Sequence, residues 1–335
     1  MKSRTRIIDV ALRAGVSVAT VSRAFARPDM VRPETRERIQ RAAQELDYVM
    51  DGAARALALG RARTVGAVVP TLDNAVFAQA VHGLQTVLNR SGYQLLIAAH
   101  EYDLDQESRQ IRALVESAAE ALVVVGAEHA ESAWQFIRQS RIPLLIAWSS
   151  HDRLPYIGFD NERIGRLAAE HLLELGHRHF GIITGHRANN DRTRARCRGF
   201  LHALRRAGIA ESACPISEQT FSFEGGRQGL HALLQYGGPA VTGVFCGNDV
   251  LAMGCLFEAQ DLGLDVPGQL SIVGCDGLPI VSQMRPSITT IDLPTLALGQ
   301  ACAKALLDWL EHDRAPASVT FDIRLRQGQT SALAP

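Results

Sequence analysis

The sequence predicts an α/β protein: a three-helix helix-turn-helix head, followed by a two-lobed core with doubly wound parallel sheets. Three observations support this prediction. Residues 7–25 read as two short helices at a sharp turn. From residue 64 onward, short apolar runs alternate with segments of helical period. These runs are too many for one sheet, which favours two subdomains with a cleft between them.

The head is predicted from residues that a helix-turn-helix needs at fixed places. Ala11 supplies the small residue where the first helix crosses the second. Gly15 lies in the turn, where a positive φ is strained for residues with a Cβ. Ser17 stands where its hydroxyl can cap the second helix. Pro33 is expected at the first position of a third helix that runs to about Leu46.

The second helix has two different faces. Val21, Ala24 and Phe25 fall at i, i+3 and i+4 and are expected to face the head's core. The outward face opens with Val18 and Ala19 and also carries Ser22 and Arg23. Small apolar groups, a hydroxyl and a guanidinium suit the major groove of DNA, with its thymine methyls and flanking phosphates. An ordinary helical hairpin without a DNA role is the structural alternative.

The distribution of charge supports a nucleic-acid partner for the head alone. The chain as a whole has no net charge, but residues 1–63 hold 13 Lys and Arg against 7 Asp and Glu. The head and hinge therefore carry +6 and the remainder −6. A basic head on an acidic body is expected when only the head meets phosphates.

The core is predicted from its strand and helix segments. Each predicted strand is short and almost continuously apolar, as in parallel strands buried on both faces. The predicted strands are 65–69, 94–98, 121–125, 143–147, 156–159, 179–183, 241–245 and 270–274. Helical segments include 75–90, 161–175, 192–207, 248–262 and 294–311. We divide the chain into a DNA-binding domain at 1–49, a hinge at 50–63 and a ligand-binding and dimerisation core at 64–335.

Polar and aromatic residues near the strand ends are the candidates for binding a small molecule. Ligands of such sheets bind beyond the carboxyl ends of the strands. The candidates are Asp73, Asn74, Phe77, Asp160, Arg196, Phe221, Asn248, Asp249 and Asp276. Groups that bond hydroxyls, together with an aromatic face, suit a sugar or a sugar acid. Several of these residues could instead only cap the helix that follows them.

The sequence contains none of the enzyme motifs that we searched for. Neither of the two lysines, Lys2 and Lys304, follows a glycine, which excludes a P-loop, and no G-x-G-x-x-G, G-x-S-x-G or H-E-x-x-H motif occurs. His177 and His179 flank Arg178 without a carboxylate at ligand spacing, so we interpret them as part of a loop into a strand. We expect no cofactor and no metal site.

The cellular setting is predicted from the N-terminus and the cysteines. The first ten residues lack the apolar region of a secretory signal, and no apolar run approaches the ~18 residues of a membrane span. The six cysteines are scattered without a C-x-x-C pair, which favours buried thiols. We expect a cytoplasmic protein without a membrane partner.

The head resembles that of the LacI/GalR family of bacterial repressors. The runs that carry the resemblance are DVALRAGVSVATVSRAF, VRPETRERIQRAAQELDYV and ARAL. The stretch SVATVSR most resembles the galactose-repressor branch. The resemblance implies a hinge helix that forms on operator DNA and bends it, with Leu57 as the residue that enters the minor groove. The residues predicted to contact DNA are Ser17, Val18, Ala19, Thr20, Ser22, Arg23, Arg27, Arg55 and Leu57.

The sequence departs from the pattern of that family in two places. Met50 and Asp51 replace the usual Pro-Asn, and Arg32 replaces a frequent Ser. A carboxylate near phosphate is repulsive, which counts against hinge contacts with DNA at Asp51.

The core is similar to the periplasmic-binding-protein-like core of the same family. The resemblance assigns the ligand to Arg196 in R-x-x-G-F, to the pair Asn248-Asp249, and to Asp276, with Phe221 stacking on a sugar ring. The segments PTLDNAVFAQAVHGL, GFDN and VFCGNDVLA most resemble gluconate-type repressors. An aldonate such as gluconate is the first expectation, since Arg196, Arg192 or Arg194 suits a carboxylate. A neutral sugar is the second expectation, since the aspartates among the candidate residues would repel a carboxylate.

We therefore predict a transcriptional regulator that represses from a palindromic operator and responds to a sugar or sugar acid. No leucine heptad follows the last strand-like stretch, so we expect a homodimer. A solute-binding protein without a DNA role is the alternative, and an α/β enzyme is the third choice.

Overall fold

The computed structural model describes residues 5–50, 61–236, 238 and 240–335, which form a helical head and two α/β lobes. The predicted fold class is confirmed. The hinge residues Arg55 and Leu57 lie outside the described residues, and so do residues 51–60 as a whole. The predicted boundaries of the hinge therefore stay predictions.

The head consists of α1 (Ile7–Ala14), α2 (Val18–Ala26), a short 3₁₀ turn (Pro28–Met30) and α3 (Pro33–Glu45). Gly15 ends α1 with φ of 65°, and Pro33 starts α3, both as predicted. The Thr20 N–H donates to Ser17 Oγ over 3.2 Å, which caps α2.

Apolar residues from all three helices form the core of the head. Val10 of α1, Val21 of α2 and Ile39 of α3 are fully buried against one another. An ion pair of 2.6 Å between Arg13 and Glu45 joins α1 to α3 at the surface. This packing fixes α2 with its opposite face outward.

The first lobe is built on a six-stranded parallel sheet in the order β11-β5-β4-β3-β1-β2. Its strands are β1 (Thr64–Val69), β2 (Gln94–Ala99), β3 (Ala121–Val125), β4 (Leu144–Trp148), β5 (Tyr156–Phe159) and β11 (Val319–Phe321). Its helices are α4 (Ala75–Arg90), α5 (Leu104–Glu116), α6 (Glu131–Ser140) and α11 (Thr295–His312). The central strands are buried on both faces, which explains their continuous apolar runs.

The second lobe repeats this plan with the order β12-β10-β9-β8-β6-β7, in which only β12 is antiparallel to its neighbour. Its strands are β6 (Phe180–Gly185), β7 (Ile216–Gln219), β8 (Gly243–Cys246), β9 (Ser271–Asp276), β10 (Thr289–Asp292) and β12 (Arg324–Arg326). Its helices are α7 (Asn161–Glu174), α8 (Asp191–Arg206), α9 (Phe223–Leu234) and α10 (Asp249–Asp261).

The chain passes between the lobes after β5, after β10 and between β11 and β12. Helix α11 therefore returns to the first lobe and packs along α4. Glycines allow this contact: a Cβ on Gly83 would overlap the Leu296 carbonyl oxygen, and a Cβ on Gly299 would overlap that of Ala80. Three connections between the lobes suit a body that opens and closes about a hinge.

Two strands of the second lobe, β7 and β10, were missing from the strands predicted by sequence. The sequence of β10 is TTID, and its Thr289 and Thr290 are completely buried although polar. Their hydroxyls are satisfied by Ser331 and Asp249, at 2.8 and 2.6 Å. Because this burial depends on partners distant in the chain, no apolar run marks the strand.

The cysteines and the histidine pair take structural positions. All six cysteines are buried free thiols. His177 is buried, and its ring nitrogens hydrogen-bond to the hydroxyls of Thr242 and Ser271. Within the described residues, no helix combines the length and apolar character that crossing a bilayer requires.

Candidate functional site

The outward face of α2 is the candidate surface in the head. Val18 is 40% exposed, and Ala19, Arg23 and Arg27 are exposed beside it. No carboxylate among the described residues pairs with either arginine, so both guanidinium groups can reach phosphates or base edges. This face can enter a major groove without disturbing the head's core.

The remaining candidates are Ser17 and Thr20 at the start of α2 and Ser22 in its middle. Ser17 and Thr20 bond to each other through their hydroxyls at 2.8 Å, and Ser17 also caps the helix. Ser22 is half-buried. Ser17 and Thr20 therefore shape the N-terminal end of the helix.

A pocket opens between the two lobes, at the carboxyl ends of strands from both sheets. Six of the nine residues predicted to bind a ligand line it. These are Asn74, Phe77, Arg196, Phe221, Asn248 and Asp276. The pocket is where parallel sheets of this kind bind ligands.

Aromatic rings form two walls of this pocket. The rings of Phe77 and Trp148 lie 5.2 Å apart in the first lobe. Tyr102 of the first lobe lies 5.6 Å from Phe221 of the second lobe, so this pair spans the cleft. Aromatic faces on two sides leave a slot for a flat or ring-shaped molecule with an apolar face.

The backbone is strained at several residues of the pocket wall. Tyr102, Trp148 and Asp276 have φ values of 62°, 67° and 117°, which residues with a Cβ rarely adopt. Such strain costs on the order of 1–3 kcal/mol per residue and clusters at functional sites. In this chain it turns three side chains from strand ends into one cavity.

Arg196 of α8 is held in place by protein atoms. Its Nε donates to Asn161 Oδ1 over 3.1 Å, and its Nη1 donates to the Gly247 carbonyl oxygen over 2.7 Å. Its Nη1 also lies 3.8 Å from Asp276 Oδ1. The guanidinium is thus fixed before any ligand arrives, with its charge next to a carboxylate.

Two buried polar atoms of the pocket residues lack a partner among the described residues. They are Asn248 Nδ2 and Asp276 Oδ2. Asn248 uses its Oδ1 to cap α10 at Leu251, over 2.9 Å. Burial raises the pKa of Asp276, although the charge of Arg196 works in the opposite direction. An unused donor and an unused acceptor at this depth match a ligand with hydroxyl groups.

The same features occur in a known family. Residues 6–51 match the lacI family of bacterial regulatory proteins, and residues 169–331 match a periplasmic binding protein-like domain. The HTH-type transcriptional repressor CytR of Escherichia coli (strain K12) is 32% identical over 305 residues, covering 90% of this chain and 89% of that protein. The HTH-type transcriptional regulator GntR of Pseudomonas aeruginosa is 35% identical over 306 residues, covering 91% and 89%. The chain belongs to the LacI family.

A solved structure agrees with this assignment along the whole chain. A LacI-family transcriptional regulator from Silicibacter pomeroyi superposes with a TM-score of 0.88 at 26% identity, and the match covers 99% of this chain and 100% of that one. The chain is therefore a DNA-binding transcriptional regulator, with a head for DNA and a core for a small effector molecule. The relatives found are regulators rather than enzymes.

Three of the predicted effector-binding residues lie outside the pocket of this LacI-family core. Asp73 is exposed at the surface, one residue before Asn74, which caps α4 and lines the pocket. Asp160 is also exposed and caps α7, since its Oδ1 accepts from the Arg163 N–H over 2.9 Å. Neither carboxylate lines this pocket.

Asp249 is completely buried behind the pocket. Its two oxygens accept hydrogen bonds from the Leu278 N–H at 2.7 Å and from Thr290 Oγ1 at 2.6 Å. Burial raises its pKa, and the neighbouring charge of Asp276 raises it further. The structure thus places Asp249 as a support of the loop after β9, next to Asp276.

Sequence reasoning missed several residues of the pocket wall. They are Val76, Tyr102, Trp148, Asn190 and Thr193; Arg192 was named only as an additional partner for a carboxylate. Trp148 ends β4, and Tyr102 follows β2 closely, so the rule of strand ends would have found both aromatics if it had been applied beyond polar residues.

Proposed function

We propose that this LacI-family regulator binds a palindromic operator as a homodimer and that a sugar acid of the aldonate class, such as gluconate, controls its affinity for DNA. A neutral sugar is the second candidate for the effector. The observation that carries the proposal is the pocket between the lobes, with aromatic walls, buried unpaired polar atoms and two guanidinium groups.

The position of the pocket supports control of DNA binding by a ligand. Tyr102 and Phe77 reach it from the first lobe, and Arg196 and Asp276 from the second. A molecule that contacts both lobes favours one arrangement of the lobes over the other. Because coupling is reciprocal, the effector and the operator change each other's affinity by the same factor, typically worth about 1–3 kcal/mol.

The charge of the pocket supports an acid over a neutral sugar. Arg192 and Arg196 contribute two positive charges to the wall, and Asp276 contributes one carboxyl group. The carboxylate of Asp191 pairs with Arg192 at 2.9 Å and offsets one of the two positive charges. Asp73 and Asp160, which we expected to repel a carboxylate, lie outside this wall. The raised pKa of Asp276 weakens the remaining repulsion, since a protonated carboxyl group carries no charge.

The test is fluorescence anisotropy of the full chain on DNA from the region upstream of its own gene. The measurement is made at two salt concentrations, with aldonates, uronates and neutral sugars added in turn. Tight, salt-sensitive binding that an aldonate releases supports induction by a sugar acid. Tighter operator binding in the presence of the same compound supports corepression. A response to neutral sugars alone contradicts the proposal that the effector is an aldonate. Absence of binding to any palindrome above random DNA leaves the solute-binding alternative.

Two substitutions separate the two binding surfaces. Arg23→Ala removes an exposed guanidinium from α2, so operator affinity and its salt dependence should fall while effector affinity is kept. Phe221→Ala removes an aromatic wall, so effector affinity should fall while operator binding without effector is kept. Sedimentation of the full chain at micromolar concentration reports whether it is a dimer.

A further inference from the structure

We propose that Arg192 binds the carboxylate of the effector and so determines the preference for a sugar acid over the neutral polyol of the same shape. This inference rests on the proposed function and assigns one part of the pocket to one functional group. The argument compares the two arginines that line the pocket.

Arg192 keeps an edge of its guanidinium available. It is the second residue of α8, is only 9% exposed and lines the pocket. Its Nη1 donates to Asp191 Oδ1 over 2.9 Å. Among the described residues, no acceptor contacts its Nε or Nη2. These two nitrogens form the side of a guanidinium that binds a carboxylate through two parallel hydrogen bonds.

Arg196 lacks such an edge. Its Nε is used by Asn161 Oδ1 and its Nη1 by the Gly247 carbonyl oxygen. Its Nη2 still carries two free N–H groups, but without a free Nε the Nε–Nη2 edge cannot hold a carboxylate through two parallel hydrogen bonds. Arg196 therefore suits a hydroxyl group, and Arg192 suits the carboxylate.

Gly126 of the first lobe makes room for Arg192. Gly126 follows β3 with φ of 95°, and a Cβ at this position would overlap Arg192 Nη1 and lie 3.0 Å from Asp191 Oδ1. The guanidinium of the second lobe thus rests directly on the backbone of the first lobe. Any larger residue at position 126 has to displace it.

Asp191 fixes this arrangement. Its second oxygen accepts from the Ala127 N–H of the first lobe over 3.2 Å. Burial works to raise the pKa of Asp191, but the Arg192 guanidinium and the Ala127 N–H outweigh it and the pKa is lowered. Asp191 stays ionised at neutral pH and holds Nη1, which orients the free edge of Arg192.

The test measures binding of gluconate and of glucitol, which has the same chain length and hydroxyl pattern but no carboxylate, by calorimetry on the full chain. The wild-type protein should prefer gluconate. Arg192→Gln should lower the affinity for gluconate about 10- to 100-fold and change the affinity for glucitol little, because only the acid loses a charge-assisted contact. Arg192→Lys keeps the charge without the two-point geometry and should restore part of the preference. Gly126→Ala should lower the affinity for gluconate in the same way as Arg192→Gln.

Arg194→Gln is the matched control. Arg194 is on the same helix and forms an ion pair with Glu128 of the first lobe, but it does not line the pocket. Its removal takes away the same charge and one contact between the lobes, so both ligands should change equally. Thermal melts of each variant by circular dichroism verify folding.

The outcomes separate this inference from the proposed function. If a folded Arg192→Gln variant keeps the wild-type preference for gluconate, the role assigned to Arg192 is wrong. The proposal that the effector is an aldonate is then unaffected. An equal loss of preference in Arg194→Gln overturns it too, since general charge then explains the selectivity. A wild-type protein with no preference for the acid refutes the aldonate itself, and the role of Arg192 with it.

Discussion

The contact between α7 and α8 should be sensitive to a single added methyl group at Gly165. A Cβ at Gly165 would overlap the carbonyl oxygen of Arg196 and lie 2.8 Å from the Phe200 backbone nitrogen. The reciprocal residue Gly199 faces the Glu162 carbonyl oxygen in the same way. Backbone atoms cannot rotate away, so the two helices must separate by on the order of 1 Å to reach ordinary contact distances.

The magnitude follows from two opposing terms. Overpacking of a core typically costs about 1–3 kcal/mol, and backbone on the opposing side places this contact at the upper end. Alanine is a better helix former than glycine by about 1 kcal/mol, which offsets part of the cost. Gly165→Ala should therefore lower the free energy of unfolding by about 2 kcal/mol.

The same substitution should also impair the pocket, because the displaced backbone is that of Arg196. A shift of on the order of 1 Å breaks the bond from its Nη1 to the Gly247 carbonyl oxygen, 2.7 Å long in the native chain. We expect effector affinity to fall about tenfold or more, since hydrogen bonds to charged groups are worth about 1.5–3 kcal/mol.

Urea unfolding followed by circular dichroism and calorimetric titration of the effector measure the two effects. Gly208→Ala is the matched control: it lies just beyond α8 with φ of 77°, and a Cβ there meets nothing within 4 Å. It should cost about 1–2 kcal/mol of stability through backbone strain and leave effector affinity unchanged. Wild-type stability and affinity in Gly165→Ala would refute the argument from helix contact.

Three further predictions concern the head and the buried carboxyl groups. Ser17→Ala should destabilise the head by about 0.5–2 kcal/mol through loss of the cap, and amide exchange in α2 measures it, with α4 of the first lobe as internal reference. Asp249→Ala should lower the free energy of unfolding by about 2–4 kcal/mol, because the Thr290 hydroxyl and an amide N–H lose their shared acceptor; a urea midpoint equal to wild type contradicts this. Effector affinity should fall as pH rises through neutrality. Burial raises the pKa of Asp276, and the charge of an acidic effector favours its protonated form further. Effector binding therefore takes up a proton, so the affinity falls as the proton concentration falls. Titrations in buffers of different ionisation enthalpy measure this uptake, and Asp276→Asn should abolish it; a pH-independent affinity in wild type contradicts the assignment.

The arrangement of the connections explains how a small ligand can act on the head. The chain crosses between the lobes at separate points, and contacts from α8 to the loop after β3 lie beside the pocket. Closure of the lobes on a ligand therefore changes contacts that belong to both halves of the core. The first lobe follows the predicted hinge in the chain, so we expect a change in its position to reach the DNA-binding end.

The head and the alternation of strands and helices could be read from the sequence because both depend on local chemistry. Gly15 permits the turn, Ser17 caps α2, and Pro33 starts α3 through properties of their own backbone and side chain. The strands buried on both faces, such as β3 and β4, appear as apolar runs wherever the rest of the chain lies. The same local rules marked the strand ends as the place for a ligand.

Tertiary structure alone decided which of two neighbouring residues faces the pocket. Asn248 lines it whereas Asp249 is bound behind it, and Asn74 lines it whereas Asp73 is exposed. Adjacent side chains at the start of a helix point in directions about 100° apart, and only the packing of the opposite lobe selects one of them. The free edge of Arg192 likewise depends on Gly126, a residue 66 positions away in the chain, and distant partners of this kind leave no local pattern.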